Sequence, residues 1–139
     1  MRFYIDTQTL AQLIFHSNEM SSDVRVLFEE YENCFLTSTV CVKELIHLIQ
    51  THRIRPASKK RRYSAEETVT TIRKAGVDIR PADILHLEQM AQLPLFDEHN
   101  DPNDRLIVAQ AIRDRIPLIS TDMKFSLYIP AGLELMENR

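Results

Sequence analysis

Four acidic residues stand at positions in this sequence where a buried apolar residue is expected. Asp6 ends one apolar run near the start of the chain, and Asp122 follows another run near its end. Glu44 lies inside an apolar segment with helical spacing, and Asp104 lies at the start of a second such segment. Carboxylates are rarely buried unless they are paired or bound to a cation. A cation site explains these positions; the alternative is that the acids serve only as helix caps and turn residues.

The segment 99–107 contains the clearest helix start in the chain. Pro102 suits the first position of a helix, because its φ is fixed and it has no N–H to satisfy. Asp101 before it is a suitable N-cap, and Asp104 follows three residues later, as in a capping box. A capped helix explains Asp101 and Pro102. It does not explain why acids stand in comparable places elsewhere in the chain.

The composition indicates a soluble globular protein with one domain, residues 1–139. The apolar fraction of 44% and the charged fraction of 27% are ordinary for such proteins. No run approaches the roughly 20 apolar residues that a membrane span needs, and the N-terminus lacks the pattern of a signal peptide. We therefore expect a cytoplasmic protein without membrane contact, in which Cys34 and Cys41 are free, buried thiols.

Basic residues are concentrated in one segment, although the net charge of the protein is −3. Between positions 53 and 63 there are six basic residues and no acid. A local run of this kind can hold a polyanion such as a nucleic acid. A solvated loop, or a patch for an acidic protein partner, explains it equally well. The six residues are Arg53, Arg55, Lys59, Lys60, Arg61 and Arg62.

Apolar runs that alternate with helical segments predict an α/β fold. The pattern indicates βαβ units and hence a parallel sheet with helices on both faces, a three-layer α/β/α sandwich with four or five mainly parallel strands. Strands are expected at 2–6, 34–37, 77–80 and 117–121, with a weaker one at 133–136. Helices are expected at 8–15, 24–31, 39–52, 64–75, 81–92 and 101–115, with a short turn or helix at 122–127.

This topology could bring the acids to one edge of the sheet. In parallel sheets, ligands bind at the carboxyl ends of the strands, and the four acids, together with Asp101, all lie near such ends. Carboxylates that share one cleft cannot all remain ionised without a cation, and oxygen ligands suit Mg²⁺ or Mn²⁺. A divalent ion activates water for attack and stabilises charge on a phosphodiester. Together with the basic run, the acids favour nuclease chemistry.

Four motifs then give the chain a family resemblance. In their order and spacing, the chain resembles a PIN-domain ribonuclease, most closely the VapC-like toxins of bacterial toxin–antitoxin pairs. The most specific motif is the third. The motifs are Tyr4-Ile5-Asp6-Thr7; Ser38 with Glu44 six residues later; His99-Asn100-Asp101-Pro102-Asn103-Asp104-Arg105-Leu106 with Ala109-Gln110-Ala111; and Ile119-Ser120-Thr121-Asp122 followed by Phe125 and Tyr128.

The resemblance implies a Rossmann-like fold and an endoribonuclease that depends on Mg²⁺ or Mn²⁺. It implies that Asp6, Asp104 and Asp122 hold the metal, directly or through water. Glu44 is implied to be a further ligand or to activate the water, with Thr121 helping to orient the site. The resemblance also implies an RNA substrate, an antitoxin partner and a homodimer formed through the early helices.

Residues beside the acids have more than one interpretation. Asp101 is expected to cap its helix, with a role as secondary metal ligand as the alternative. Arg105 is expected to bridge to an acid, contact phosphate or receive an antitoxin carboxylate, unless it pairs with a neighbouring helix. His99 either contacts RNA or is simply hydrogen-bonded. Asn103 replaces the aromatic residue usual in the family, so it bears on substrate detail. Specificity is assigned to the basic run, mainly Lys59, Lys60, Arg61 and Arg62, and to the loop 93–100.

Other functions remain open at this point. The same fold with an unused metal site would be an RNA- or protein-binding module, although the presence of all four acids argues against it. An RNA-processing or DNA-directed nuclease outside a toxin–antitoxin pair is a further alternative. A receiver-type phosphoacceptor domain needs a lysine soon after its late strand, and Lys124 is the sole candidate after the fourth strand. A small antitoxin gene beside this one would favour the toxin.

Overall fold

Five parallel strands form one sheet in the part of the chain that this computed structural model describes, residues 1–56 and 63–139. In chain order they are β1 (Arg2–Ile5), β2 (Cys34–Ser38), β3 (Val77–Arg80), β4 (Leu118–Ser120) and β5 (Leu135–Glu137). Their order across the sheet is β3-β2-β1-β4-β5, and every pairing is parallel. The predicted parallel sheet is confirmed, and the last strand begins two residues later than expected.

Helices cover both faces of the sheet. Alternate residues of the central strand face opposite sides: Phe3 and Ile5 join one core cluster, and Tyr4 joins the other. The first cluster is closed by α1 to α4 and the second mainly by α5 and α6, which confirms the three-layer sandwich. The helices are α1 (Thr7–Phe15), α2 (Ser22–Glu29), α3 (Thr39–Gln50), α4 (Thr68–Lys74), α5 (Ile84–Gln92) and α6 (Pro102–Asp114), with 3₁₀ segments at Ser17–Glu19, Ala65–Glu67 and Met123–Ala131.

Side-chain caps stand at the carboxyl edge of the sheet where α1, α3 and α6 begin. Asp6 caps α1 by accepting the N–H of Thr9, and Ser38 caps α3 by accepting the N–H of Val40. Asp101 caps α6 as predicted. The reciprocal half of the predicted capping box is not seen among the described residues, because the carboxylate of Asp104 lines a cleft instead. Asp6 therefore both caps a helix and lines the cleft, whereas Ser38 and Asp101 cap their helices without lining it.

The start of α5 differs from the prediction. Pro81 was expected to begin this helix, but it begins at Ile84. The carboxylate of Asp83 accepts the backbone N–H groups of Leu85 and His86, so the cap lies two residues beyond the proline. Because the Asp83 carboxylate satisfies these free N–H groups, it fixes the first turn more strongly than the restricted φ of proline does.

The two cysteines differ from one another. Cys41 is buried, as predicted, and burial raises the pKa of its thiol to about 12. Cys34 is exposed, so the prediction of two buried thiols is wrong for this residue. It is the first residue of β2, whereas the four residues that follow it are buried.

Two further expectations concern the surface. The residues Lys59, Lys60, Arg61 and Arg62 lie outside the described part of the chain. No helix within residues 1–56 and 63–139 is long and apolar enough to cross a membrane.

Candidate active site

A cleft of about 160 Å³ opens at the carboxyl edge of the sheet. It brings together all four of the acids singled out in the sequence, although they come from separate segments of the chain. Thr121, predicted to orient the site, also lines it. The lining residues are Asp6, Thr7, Gln8, Glu44, Leu48, Asp104, Thr121, Asp122 and Phe125.

Asp6 lies at the base of the cleft with both carboxylate oxygens engaged. Oδ1 accepts the backbone N–H of Thr9 at 2.9 Å, and Oδ2 accepts the hydroxyl of Ser120 at 2.6 Å. Burial raises the pKa of Asp6, while the hydrogen bonds from Ser120 and Thr9 lower it. The position of this carboxylate is therefore fixed by the fold, and its negative charge is stabilised by donors but kept out of solvent.

Ser120 is a residue of the site that the sequence analysis missed. It is the last residue of β4 and is buried. Its hydroxyl donates to Asp6 and accepts the backbone N–H of Asp122 at 2.9 Å. One serine thereby links the two acids that follow β1 and β4. The available signal was a hydroxyl within an apolar run, two positions before an acid.

Asp104 and Glu44 are presented by α6 and α3. Burial, together with the charges of Asp101 and Glu44, raises the pKa of Asp104 to about 7. Burial likewise raises the pKa of Glu44, with Asp101 as the next cause. The acids disfavour one another's ionisation. This is the electrostatic condition that a bound divalent cation relieves.

His99 completes one side of the cluster. The residue is buried, and its ring packs edge-to-face against Phe125 and Tyr128. Its Nε2 atom lies 3.4 Å from Oδ2 of Asp104 and 3.9 Å from Oδ2 of Asp122. Ligand-type atoms of these three residues all lie within 4.8 Å of one another. Burial lowers the pKa of His99, which favours the neutral imidazole, although Asp122 raises it.

The sequence matches the model of the PIN domain family over residues 3–128. The chain belongs to the PIN domain family. A search of curated proteins found no significant match.

Solved structures share the fold of this PIN domain over nearly its whole length. A chain of VapBC2 from Rickettsia felis, bound to a DNA fragment from its promoter, is 18% identical, with full coverage of both chains and a TM-score of 0.65. A chain of DNA-bound VapBC from Salmonella typhimurium is 16% identical, covers 99% of this chain and 98% of its own, and has a TM-score of 0.66. VapC20 of Mycobacterium tuberculosis, described as a sarcin–ricin loop cleaving toxin, is 17% identical, covers 94% and 95%, and has a TM-score of 0.62.

Other singled-out residues of the PIN domain lie around the cleft. Asp101 caps α6 through hydrogen bonds of 2.9 and 3.1 Å from Asn103 and Asp104, and it does not line the cleft. Asn103 accepts a hydrogen bond from Nζ of Lys43 at 3.1 Å. This contact joins the first turn of α6 to α3 beside the acids.

Arg105 contacts the loop before α6. Its guanidinium donates to the carbonyl of Leu93 at 3.3 Å, which ties α6 to the loop before it. Across residues 1–56 and 63–139, Arg105 makes no ion pair with an acid, so the expected bridge to a carboxylate is not found there. The Nε atom of Arg105 is buried without a hydrogen-bond partner in the same part of the chain.

The residues of the cleft fit a divalent cation. Four carboxylates supply the oxygen donors that Mg²⁺ and Mn²⁺ prefer. One buried atom beside them, Nε2 of His99, has no hydrogen-bond partner among the described residues. Buried polar atoms are normally satisfied, so an unpartnered atom at an acidic cleft indicates a missing ligand or water.

Proposed function

We propose that this PIN-domain protein is a divalent-metal-dependent endoribonuclease that hydrolyses RNA phosphodiester bonds, and that it is the toxin of a toxin–antitoxin pair. The observation that carries the proposal is the convergence of Asp6, Glu44, Asp104 and Asp122 in one cleft. A binding module has no use for four carboxylates in one cleft, where neighbouring acids raise the pKa values of Glu44 and Asp104. The test is incubation of the purified protein with total RNA and Mg²⁺ or Mn²⁺, with and without a chelator.

Asp6, Asp104 and Asp122 would hold Mg²⁺ or Mn²⁺, and Glu44 would be a further ligand or the base for the attacking water. The cation supplies activation of the water and neutralises the charge that develops on the phosphate. Ser120 holds Asp6 through its hydroxyl and holds the backbone at Asp122 through its oxygen. The position of Thr121 between Ser120 and Asp122 suits the orienting role proposed for it.

Replacing Ser120 with alanine is expected to slow RNA cleavage about tenfold, because loss of a group that orients a metal ligand costs roughly that much or more. The free energy of unfolding should fall by about 1–2 kcal/mol, since a buried hydrogen bond to Asp6 is lost. Cleavage rates and urea unfolding measure both effects. Ser126→Ala, which removes an exposed hydroxyl, is the matched control. Equal rates for the two variants would show that Ser120 does not position the site.

We propose that the basic run contacts RNA. This proposal rests on the sequence, because the densest part of the run lies outside the described residues. Reversing the charges of Lys59, Lys60, Arg61 and Arg62 together should weaken RNA binding and make its salt dependence shallower. Each phosphate contact that is lost reduces the slope of log K against log salt by roughly 0.7 on a single strand. Fluorescence anisotropy over a salt series with the Asp6→Asn variant measures this. An unchanged slope would exclude the basic run as the RNA contact.

The partner proposals take support from the fold. The solved structures of the same fold include VapBC complexes and a toxin that cleaves the sarcin–ricin loop, which favours an RNA substrate and an antitoxin partner here. A homodimer is also proposed. Among the described residues, α5 offers exposed apolar area for such contact, because Ile84 and Leu87 are 73% and 53% exposed. This helix is not one of the early helices that the resemblance implies. Light scattering tests the dimer.

The alternatives give different results. An RNA-processing or DNA-directed nuclease would cleave nucleic acid without arresting growth when it is expressed. A binding module would hold RNA or a protein without cleaving it. Growth arrest that is relieved by the product of a neighbouring small gene would support the toxin, and cleavage without arrest would favour the processing role.

A further inference from the structure

His99 carries a buried nitrogen whose position needs an explanation. Only 4% of its side chain is exposed. Nε2 faces the carboxylates of Asp104 and Asp122, yet it has no hydrogen-bond partner within residues 1–56 and 63–139. An unpartnered buried nitrogen costs free energy unless something binds to it.

The distances distinguish a hydrogen bond from a shared ligand. Nε2 lies 3.4 Å from Asp104 Oδ2 and 3.9 Å from Asp122 Oδ2, and neither contact has the geometry of an N–H···O hydrogen bond. Atoms that bind one ion at about 2.1 Å in octahedral geometry are separated by roughly 3.0 Å when adjacent and roughly 4.2 Å when opposite. The observed spacings lie within that range.

The other ring nitrogen indicates which tautomer is present. Nδ1 lies 2.8 Å from the hydroxyl oxygen of Tyr128, and that hydroxyl lies 3.2 Å from the carbonyl of His99 itself. If the hydroxyl donates to the carbonyl, Nδ1–H donates to the hydroxyl oxygen, and both buried groups are satisfied. Nε2 then carries a lone pair directed toward the acids. The other tautomer leaves the His99 carbonyl without this donor and an Nε2–H without an acceptor.

We propose that His99 is a nitrogen ligand of the metal site, with Tyr128 holding its ring in the tautomer that presents Nε2 beside Asp104 and Asp122. This inference rests on the proposed metal dependence and adds a residue type to an otherwise all-oxygen site. Metal-binding histidines usually donate their second ring N–H to a fixed acceptor, which is the arrangement with Tyr128.

A nitrogen ligand changes which ion the site prefers. Mg²⁺ favours oxygen ligands, whereas imidazole suits transition metals, and affinity rises from Mn²⁺ onward along that series. The site should therefore bind Mn²⁺ more tightly than Mg²⁺, and the preference should depend on His99. Its loss is expected to weaken Mn²⁺ binding about tenfold and to change Mg²⁺ binding by less than about threefold.

The experiment is pulsed electron paramagnetic resonance on the full, untagged chain loaded with Mn²⁺, together with calorimetric titration of Mn²⁺ and Mg²⁺. Wild-type protein should give a nitrogen coupling from a bound imidazole. His99→Gln should bind Mn²⁺ without that coupling and with about tenfold lower affinity. His47→Gln, at an exposed histidine on α3 outside the cleft, should behave as wild type. Tyr128→Phe should retain the coupling and weaken Mn²⁺ binding by a smaller factor.

Each outcome decides a separate point. Mn²⁺ that binds wild-type protein without a nitrogen coupling, or a coupling that persists in His99→Gln, would overturn the ligand role of His99 and leave the proposed nuclease intact. Failure of wild-type protein to bind either ion would overturn the proposed metal dependence and this inference together. Circular dichroism and thermal unfolding of His99→Gln establish that a loss of binding is not a loss of fold.

Discussion

Asp104→Asn is expected to cleave RNA at least about a hundredfold more slowly than wild-type protein. The substitution keeps the shape of the side chain and removes one charge from the proposed metal site, and losing one group that stabilises developing charge costs about a hundred- to a thousandfold. Asp104 sits on α6 within the cleft and lies 3.4 Å from His99, so a change in its charge acts directly on the cluster. Single-turnover cleavage at a fixed Mn²⁺ concentration that saturates wild-type protein measures the loss.

The matched control for this variant is Asp23→Asn, at an exposed aspartate on α2 that does not line the cleft. It should cleave at the wild-type rate. Comparable activity of Asp104→Asn and Asp23→Asn would show that Asp104 has no part in the chemistry. Restoration of Asp104→Asn by a high Mn²⁺ concentration would instead indicate that the aspartate acts through metal affinity.

The metal-free form of Asp104→Asn is expected to be more stable than metal-free wild-type protein. Burial and neighbouring acids raise the pKa of Asp104 to about 7 from an ordinary value of 3.8, so folding disfavours its charged form. About a third of the Asp104 side chain is exposed, so solvent screening reduces the effect of its charge. We expect the free energy of unfolding of Asp104→Asn to exceed that of wild-type protein by about 2 kcal/mol above pH 7. Denaturant unfolding in the presence of a chelator measures this free energy.

The difference in stability between metal-free Asp104→Asn and metal-free wild-type protein should depend on pH. The cost of the Asp104 charge is fully present above the folded-state pKa of about 7 and absent below the ordinary value of 3.8. The advantage of Asp104→Asn should therefore shrink as the pH falls from 7 to 4. Saturating Mn²⁺ should reverse the order of stabilities, because the ion binds the wild-type folded state more tightly. A stability difference between the two proteins that does not change with pH would contradict the claim that folding disfavours the charged form of Asp104.

The sequence was sufficient to predict the sheet and to place the acids near its carboxyl edge, because both follow from local patterns; that the four acids share one cleft is shown by the structure. Apolar runs set the strands, and the carboxyl edge of a parallel sheet is where Asp6 and Asp122 must emerge. Asp101 was correctly expected to cap α6, since an aspartate before a proline at a helix start has little other use. The catalytic roles of the four acids stay predictions until they are measured.

Two features of the cleft could not be predicted because they depend on distant partners. Ser120 is an ordinary strand residue in the sequence, and its link to Asp6, 114 positions away, exists only once β1 and β4 pair. His99 was interpreted as a loop residue, yet Tyr128, 29 positions later, draws it into the interior. The start of α5 was misplaced because the cap formed by Asp83 outweighed the proline signal.

The measurement that tests the central claim most directly is cleavage of a total RNA pool by wild-type protein and by Asp6→Asn. Both are prepared free of bound partner and assayed with Mg²⁺, with Mn²⁺ and with a chelator. The asparagine retains Oδ1, which accepts the N–H of Thr9, so the cap of α1 survives and the variant should fold. The account predicts discrete, metal-dependent fragments from wild-type protein and none from Asp6→Asn. Equal cleavage by the two proteins, or no cleavage by folded, partner-free wild-type protein, would contradict it.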